Sequence, residues 1–167
     1  GFSVSSVQIP LITFGGTNDA DNSGVIRYVS IRHGGATIGT GNEINGLTLG
    51  GVGSGTTISH VEVFANQDDG FEFFGGTVNA SYLVAAFCGD DSFDFDQGFR
   101  GTLDHLFTIQ IQDQEPGDKA IEWDGATSPL TATPISNVTV TNLTAIGLGT
   151  SGTGDGSNAP INPRDNA

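Results

Sequence analysis

Short alternations of apolar and polar residues recur along the chain. Five segments carry one version: VIRYVSI (25–31), TISHVEV (57–63), ASYLVAA (80–86), TLDHLFT (102–108) and PISNVTV (134–140). Aligned, they put Tyr28, His60, Tyr82, His105 and Asn137 in one column, and Val29, Val61, Leu83, Leu106 and Val138 in the next. Two positions further on stand Ile31, Val63, Ala85, Thr108 and Val140. Residues two apart on a strand share a face, so the last two columns predict one buried stripe.

A second pattern alternates with the first: GLTLGG (46–51), GFEFFGG (70–76), SFDFDQG (92–98) and AIEWDG (120–125). Here Leu47, Phe71, Phe93 and Ile121 align, as do Leu49, Phe73, Phe95 and Trp123. Between them Thr48, Glu72, Asp94 and Glu122 point to the opposite face. Gly- and Asp-rich turns separate the strands, and no segment shows capped 3.6-residue periodicity, so almost no helix is expected.

An antiparallel sandwich also has many short strands, but it does not need the same side-chain type at the same place in each unit. Stacked coils do, because no coil buries its apolar face alone. The expected fold is therefore all-β, a parallel β-helix with coils of about 22–28 residues. Residues 1–167 form a single β-helix domain, read as a segment of a longer solenoid. SVQIPLITFGG (6–16) reads as an incoming strand and residues 149–159 as a Gly/Ser-rich loop.

Composition sharpens the picture at one point. Asp and Glu number 19 against 5 Lys and Arg, a formal net charge of −14. Such a surface repels nucleic acid and anionic membranes. No apolar run reaches the roughly 20 residues of a membrane-spanning helix, so direct membrane insertion is not expected. Cys88 stands alone, within YLVAAFC, and reads as a small buried hydrophobe.

The phrases DADNSGVIRYVSIRHGG (19–35), NEINGLTLGGVGSGTTISHVEV (42–63), DDGFEFFGGTVNASYLVA (68–85) and GDDSFDFDQGFRG (89–101) carry a resemblance. The chain resembles a family of secreted and cell-surface β-helix proteins of Bacteroidetes and related environmental bacteria. The resemblance implies export and a right-handed β-helix. It brings no reaction and no catalytic residue to carry over.

The acidic column is the sharpest chemical feature. Equivalent residues of neighbouring coils lie roughly 4.7–4.9 Å apart, so Glu72, Asp94 and Glu122 form a like-charge ladder, with Asp96 and Asp124 in the adjoining column. Like charges directly opposite one another destabilise a sheet. Raised pKa values, a bound cation or solvent screening would each relieve them. Ca2+ takes six to eight oxygen ligands, and these five residues are the candidate metal set. The turn pairs Asp68-Asp69 and Asp90-Asp91, and NDADN (18–22), add further oxygens, although Asp and Asn are also ordinary turn residues.

Two functions stay open. One is an extracellular structural or adhesive module, secreted or at the cell surface, stacking end to end with itself or with further coils, and binding glycan or Ca2+. The other is a polysaccharide lyase or glycoside hydrolase on the acidic face. That reading would use Asp91 and Asp94 as carboxylates and Arg100 as the basic group beside them. His60 and His105 fall in the Tyr/His/Asn column and are expected to form an ordered corner ladder.

Overall fold

A computed structural model describes residues 14–40, 43–110, 118–126, 129–147 and 160–167. Among the described residues there are ten strands and no helix. Long and short strands alternate: β1 (Val25–Arg32), β2 (Leu47–Gly50), β3 (Thr57–Phe64), β4 (Phe71–Phe74), β5 (Asn79–Ala86), β6 (Phe93–Asp96), β7 (Thr102–Ile109), β8 (Ile121–Asp124), β9 (Thr139–Ile146) and β10 (Ile161–Arg164). The long strands form one sheet in the order β1-β3-β5-β7-β9, the short ones a second in the order β10-β8-β6-β4-β2. Every pairing is parallel. Successive coils thus lie on one another in a right-handed parallel β-helix.

The apolar columns meet in the middle. Phe71, Phe93 and Ile121 pair in register from the short-strand sheet, as do Phe73, Phe95 and Trp123. From the long-strand sheet come Val61, Leu83 and Leu106, then Val63, Ala85 and Thr108. Phe71 stacks on Phe93 at 5.3 Å, and Phe73 on Phe99 at 4.6 Å. These rings are fully buried and dominate the core.

Each long strand bends at one residue of left-handed backbone: Tyr28, His60, Tyr82, His105 and Asn142, all with φ between 54° and 56°. The pairing skips that residue, running from Arg27↔Ser59 straight to Val29↔Val61. The bend lets Ile58, Val61 and Val63 all face inward despite their uneven spacing. A β-carbon in this region costs roughly 1–2 kcal/mol. Ring stacking along the corner offsets it, with centroids 4.7 Å apart for Tyr28–His60, 4.6 Å for His60–Tyr82 and 4.7 Å for Tyr82–His105. The expected corner ladder is present.

Two expectations need correction. The fifth rung is not PISNVTV: β7 pairs with β9, so Leu143 follows Leu106, and Asn142 rather than Asn137 takes the corner. Both phrases, SNVTV (136–140) and TNLTA (141–145), offer Asn followed by an apolar alternation. Tertiary contacts decide between them. Asn142 Nδ2 and Thr141 Oγ1 both donate to Asp104 Oδ1, at 2.7 and 2.6 Å. Coil length is the second correction. Equivalent residues lie 22 apart from Asp69 to Asp91 and 28 apart from Asp91 to Lys119, but 32 apart from Ser30 to Glu62 and 40 apart from Asp124 to Arg164. The outer coils carry their extra residues in turns.

The expected incoming strand lies mostly outside the described residues. Its end, Phe14, packs on the Phe74 ring at 6.0 Å. The Gly/Ser-rich loop also lies outside them.

Candidate cation-binding site

Asp69 and Asp91 occupy equivalent turn positions just before β4 and β6. Asp69 Oδ1 accepts the backbone N–H of Asp91 at 2.9 Å, and Asp91 Oδ1 accepts that of Lys119 at 2.7 Å. Each carboxylate therefore ties its coil to the next. This explains the second Asp of the repeated DD phrases: it is an interior ladder that binds backbone. Both residues are buried. Burial, and then the neighbouring carboxylates, push Asp91 up to about 8. Asp90, nearer solvent, is raised to about 6, again chiefly by burial.

The acidic column stands in the register the sequence predicts, with Thr48↔Glu72↔Asp94↔Glu122↔Asn162. It faces away from the core, yet Glu72 is only 4% exposed and Glu122 7%. The five candidate ligands divide into two groups. At the β8–β10 end, Lys119 Nζ lies 3.1 Å from Glu122 Oε1 and also bonds Asp118. Arg164 on β10 bonds both Glu122 and Asp124. Burial works against the Lys119 charge, but the Asp118 and Glu122 carboxylates hold it protonated. Glu122 and Asp124 are thus neutralised within the fold.

At the β4–β6 end the balance differs. Asn45 Nδ2 donates to Glu72 Oε2 at 3.1 Å. Glu72 Oε1 and Asp94 Oδ1 are buried, with no hydrogen-bond donor on either. Among the described residues neither forms an ion pair. Asp69 completes a triad with them, one oxygen of each lying within 4.8 Å of the others. Burial is the main cause of the rise in all three. Glu72 goes to about 12, with Asp94 and Asp69 adding to it, and Asp94 to about 8, with Asp69 and Glu122 adding to it. Asp69 also goes to about 8, where a hydrogen bond with Glu72 works against burial and Asp91, Asp68 and Asp90 add to it. Three buried carboxyl groups that face one another, with Glu72 Oε1 and Asp94 Oδ1 lacking any donor, need protons or a cation between them. The donor set is all carboxylate oxygen, which suits a hard ion such as Ca2+.

Asp96 does not join this group. Its Oδ1 accepts the adjacent Gln97 N–H at 2.5 Å. Asp69 takes its place, although the sequence marks that residue only as one of several turn oxygens. A second acidic cluster, Asp90, Asp91 and Asp118, lies beside Lys119. The NDADN stretch is occupied locally: Asn18 Oδ1 accepts from Ala20 N, Asp21 Oδ2 from Ser23 Oγ and Asn22 Oδ1 from Gly24 N.

Asp91, Asp94 and Arg100 are not brought together as one acid–base group. Arg100 turns to Asp19, 3.3 Å away, at the edge of a cleft lined also by Phe14, Gly76 and Pro134. The cations that reach the acidic face are Lys119 and Arg164, two of the five basic residues of the chain, rather than Arg100. Cys88 is buried beside the Asp69 turn, and burial pushes its thiol up to about 11.

No curated protein and no solved structure matches the chain. The pectate-lyase-like β-helix domain family matches residues 3–159, nearly its whole length, and the stacked parallel sheets are consistent with that description. The chain belongs to the pectate-lyase-like β-helix domain family.

Proposed function

We propose that the chain is an extracellular polysaccharide-binding module whose short-strand face holds a divalent cation, with calcium the best chemical match. Asp69, Glu72 and Asp94 would hold the ion, which would supply positive charge to an otherwise acidic face. A carboxylate-bearing polysaccharide fits such a site, because the ion can bridge its acid groups to those of the protein. The observation that carries this reading is the pair of buried, donor-free oxygens, Glu72 Oε1 and Asp94 Oδ1. Membership of the pectate-lyase-like family supports a polysaccharide as the ligand class.

Thermal unfolding with excess Ca2+, Mg2+ or EDTA at constant ionic strength tests it. A ligand binding only the folded state adds roughly 2.7 kcal/mol at 100 times its dissociation constant. A rise with Ca2+ that Mg2+ does not reproduce is expected, together with Ca2+-dependent retention on an acidic polysaccharide. No shift with either ion would overturn the reading.

A lyase on the same face is the second reading, and Arg164 is what favours it, since its half-exposed guanidinium adjoins Glu122 and Asp124. A lyase base must accept a proton. Arg164 bonded to two carboxylates is held protonated, so binding is the stronger reading.

A further inference from the structure

The outward side of the long-strand sheet carries columns of its own. Glu62, Val84, Phe107 and Thr144 pair in register across β3, β5, β7 and β9. Beside them runs the corner column of His60, Tyr82, His105 and Asn142. Residues of both columns line a shallow cleft of about 490 Å3, within the roughly 300–1,000 Å3 of small-ligand sites. Its middle is built on β5 and β7, each paired with a strand on both sides. Glu72 and Asp94 belong to the other sheet.

The cleft joins an apolar floor to an uncharged polar rim. Val84 and Phe107 are half-buried on its floor. Among the described residues every other phenylalanine packs on a second aromatic ring, while Phe107 has none. On the rim, Tyr82 has both ring faces covered, by His60 and His105, so it offers its edge and its hydroxyl. His105 is oriented from outside the cleft. Its Nδ1 lies 2.8 Å from Asp104 Oδ2, and Thr141 and then Asn142 hold Asp104 ionised, down to about 2. An ionised carboxylate only accepts, so Nδ1–H is the donor, and Nε2 of the neutral ring is left as an acceptor. The one carboxylate among the lining residues, Glu62, is held by Ser30 and Arg32.

These features select an occupant. The backbone groups of β5 and β7 are already paired within the sheet, so an extended peptide has no ladder to join. Arg32 is already paired with Glu62, so an anion at neutral pH would meet only the field of a chain with net charge −14. A pyranose ring has the complementary pattern, with a C–H face for Phe107 and Val84 and hydroxyls for the Tyr82 hydroxyl and His105 Nε2. We propose that this cleft is a second carbohydrate site, which takes an uncharged polysaccharide without a metal ion. It lies on a different sheet from the cation site and does not rest on it.

Affinity electrophoresis tests it, through gels holding an uncharged glucan, mannan or galactan, with polygalacturonate as the acidic counterpart, in EDTA and in Ca2+. At least one neutral polymer should retard the unaltered chain equally in both. Phe107→Ala should weaken that retention roughly tenfold, the scale of one lost apolar contact. Val84→Lys, which raises a long side chain from the floor beside Glu62, should weaken it likewise. Circular dichroism checks folding, and if one variant fails to fold the other decides. No retention by any neutral polymer would overturn the proposal. So would retention that needs Ca2+, which belongs to the acidic face, or retention that the folded variants leave unchanged. Calcium-dependent retention on polygalacturonate alone would support the cation site and sink this one.

Discussion

Glu72 and Asp94 stand directly opposite one another on β4 and β6, and each keeps a buried carboxylate oxygen that no donor reaches. Three rungs of one acidic column meet different fates: Glu122 is paired with Lys119 and Arg164, while Glu72, which accepts from Asn45, and Asp94 face each other and Asp69 with no ion pair among the described residues. A cation supplied from outside would do at the β4–β6 end what the two basic side chains do at the β8–β10 end.

Replacing Glu72 by Gln removes one of the facing charges and supplies an N–H. The EDTA-treated variant should be more stable than the parent, by about 1–3 kcal/mol if the new amide satisfies the Asp94 oxygen. Its response to Ca2+ should disappear. Urea unfolding with and without Ca2+ reads both effects, and a full calcium response in Glu72→Gln would remove this residue from the site.

Acidity should stabilise the chelated protein. Asp69, Asp91 and Asp94 are raised from 3.8 to about 8, so between those values the folded chain binds more protons than the unfolded one. Stability from these groups is greatest below about pH 4 and is lost as pH rises through about 8. The exposed Asp104, lowered to about 2 by Thr141 and Asn142, acts in the opposite sense only at the acid extreme. Urea midpoints in EDTA should fall from mildly acid to mildly alkaline pH; a rise over that range would contradict the assignment.

The corner ladder makes a prediction about strain. Tyr82 has φ 56° and stacks on both His60 and His105. Tyr82→Ala loses both stacks, worth roughly 0.5–1.5 kcal/mol each, and keeps the left-handed penalty. Tyr82→Gly loses the stacks but escapes the penalty, so it should be the more stable of the two by about 1 kcal/mol. Equal thermal midpoints would mean that the corner is not strained.

Lys119 is an interior cation with a 6% exposed side chain. Lys119→Met would leave Glu122 and Asp118 without it and should destabilise by about 3–5 kcal/mol, the usual result of breaking a buried pair. Phe73→Ala, which removes a ring packed on Phe95 and Phe99, should cost a similar roughly 3–5 kcal/mol. Chemical unfolding of both variants checks that this buried ionic contact matters as much as a core ring.

Much of the architecture is legible because a solenoid repeats its packing. Phe71 over Phe93, Phe73 over Phe95, and Val61 over Leu83 could be aligned from the sequence, since each rung meets the same neighbours. The last rung could not, because SNVTV and TNLTA satisfy one pattern and the choice rests on Asp104, thirty-eight positions before Asn142. The acidic column was legible as a column and not as a site. Which carboxylates remain unpaired depends on Lys119 and Arg164, and Arg164 arrives 40 positions after Asp124. Local spacing likewise suggested that Arg100 serves the acidic face, whereas the turn at Gly98 and the segment bearing Asp19 direct it elsewhere.

Coil length ranges from 22 to 40 residues, while the columns never lose register. Insertions are therefore invisible along the short-strand face. Glu72, Asp94 and Glu122 follow one another at one constant interval of about 4.7–4.9 Å, whatever the loops beside them contain. The loops can diversify the walls of that face, but the pitch of its charges is set by the hydrogen-bond spacing of the sheet itself.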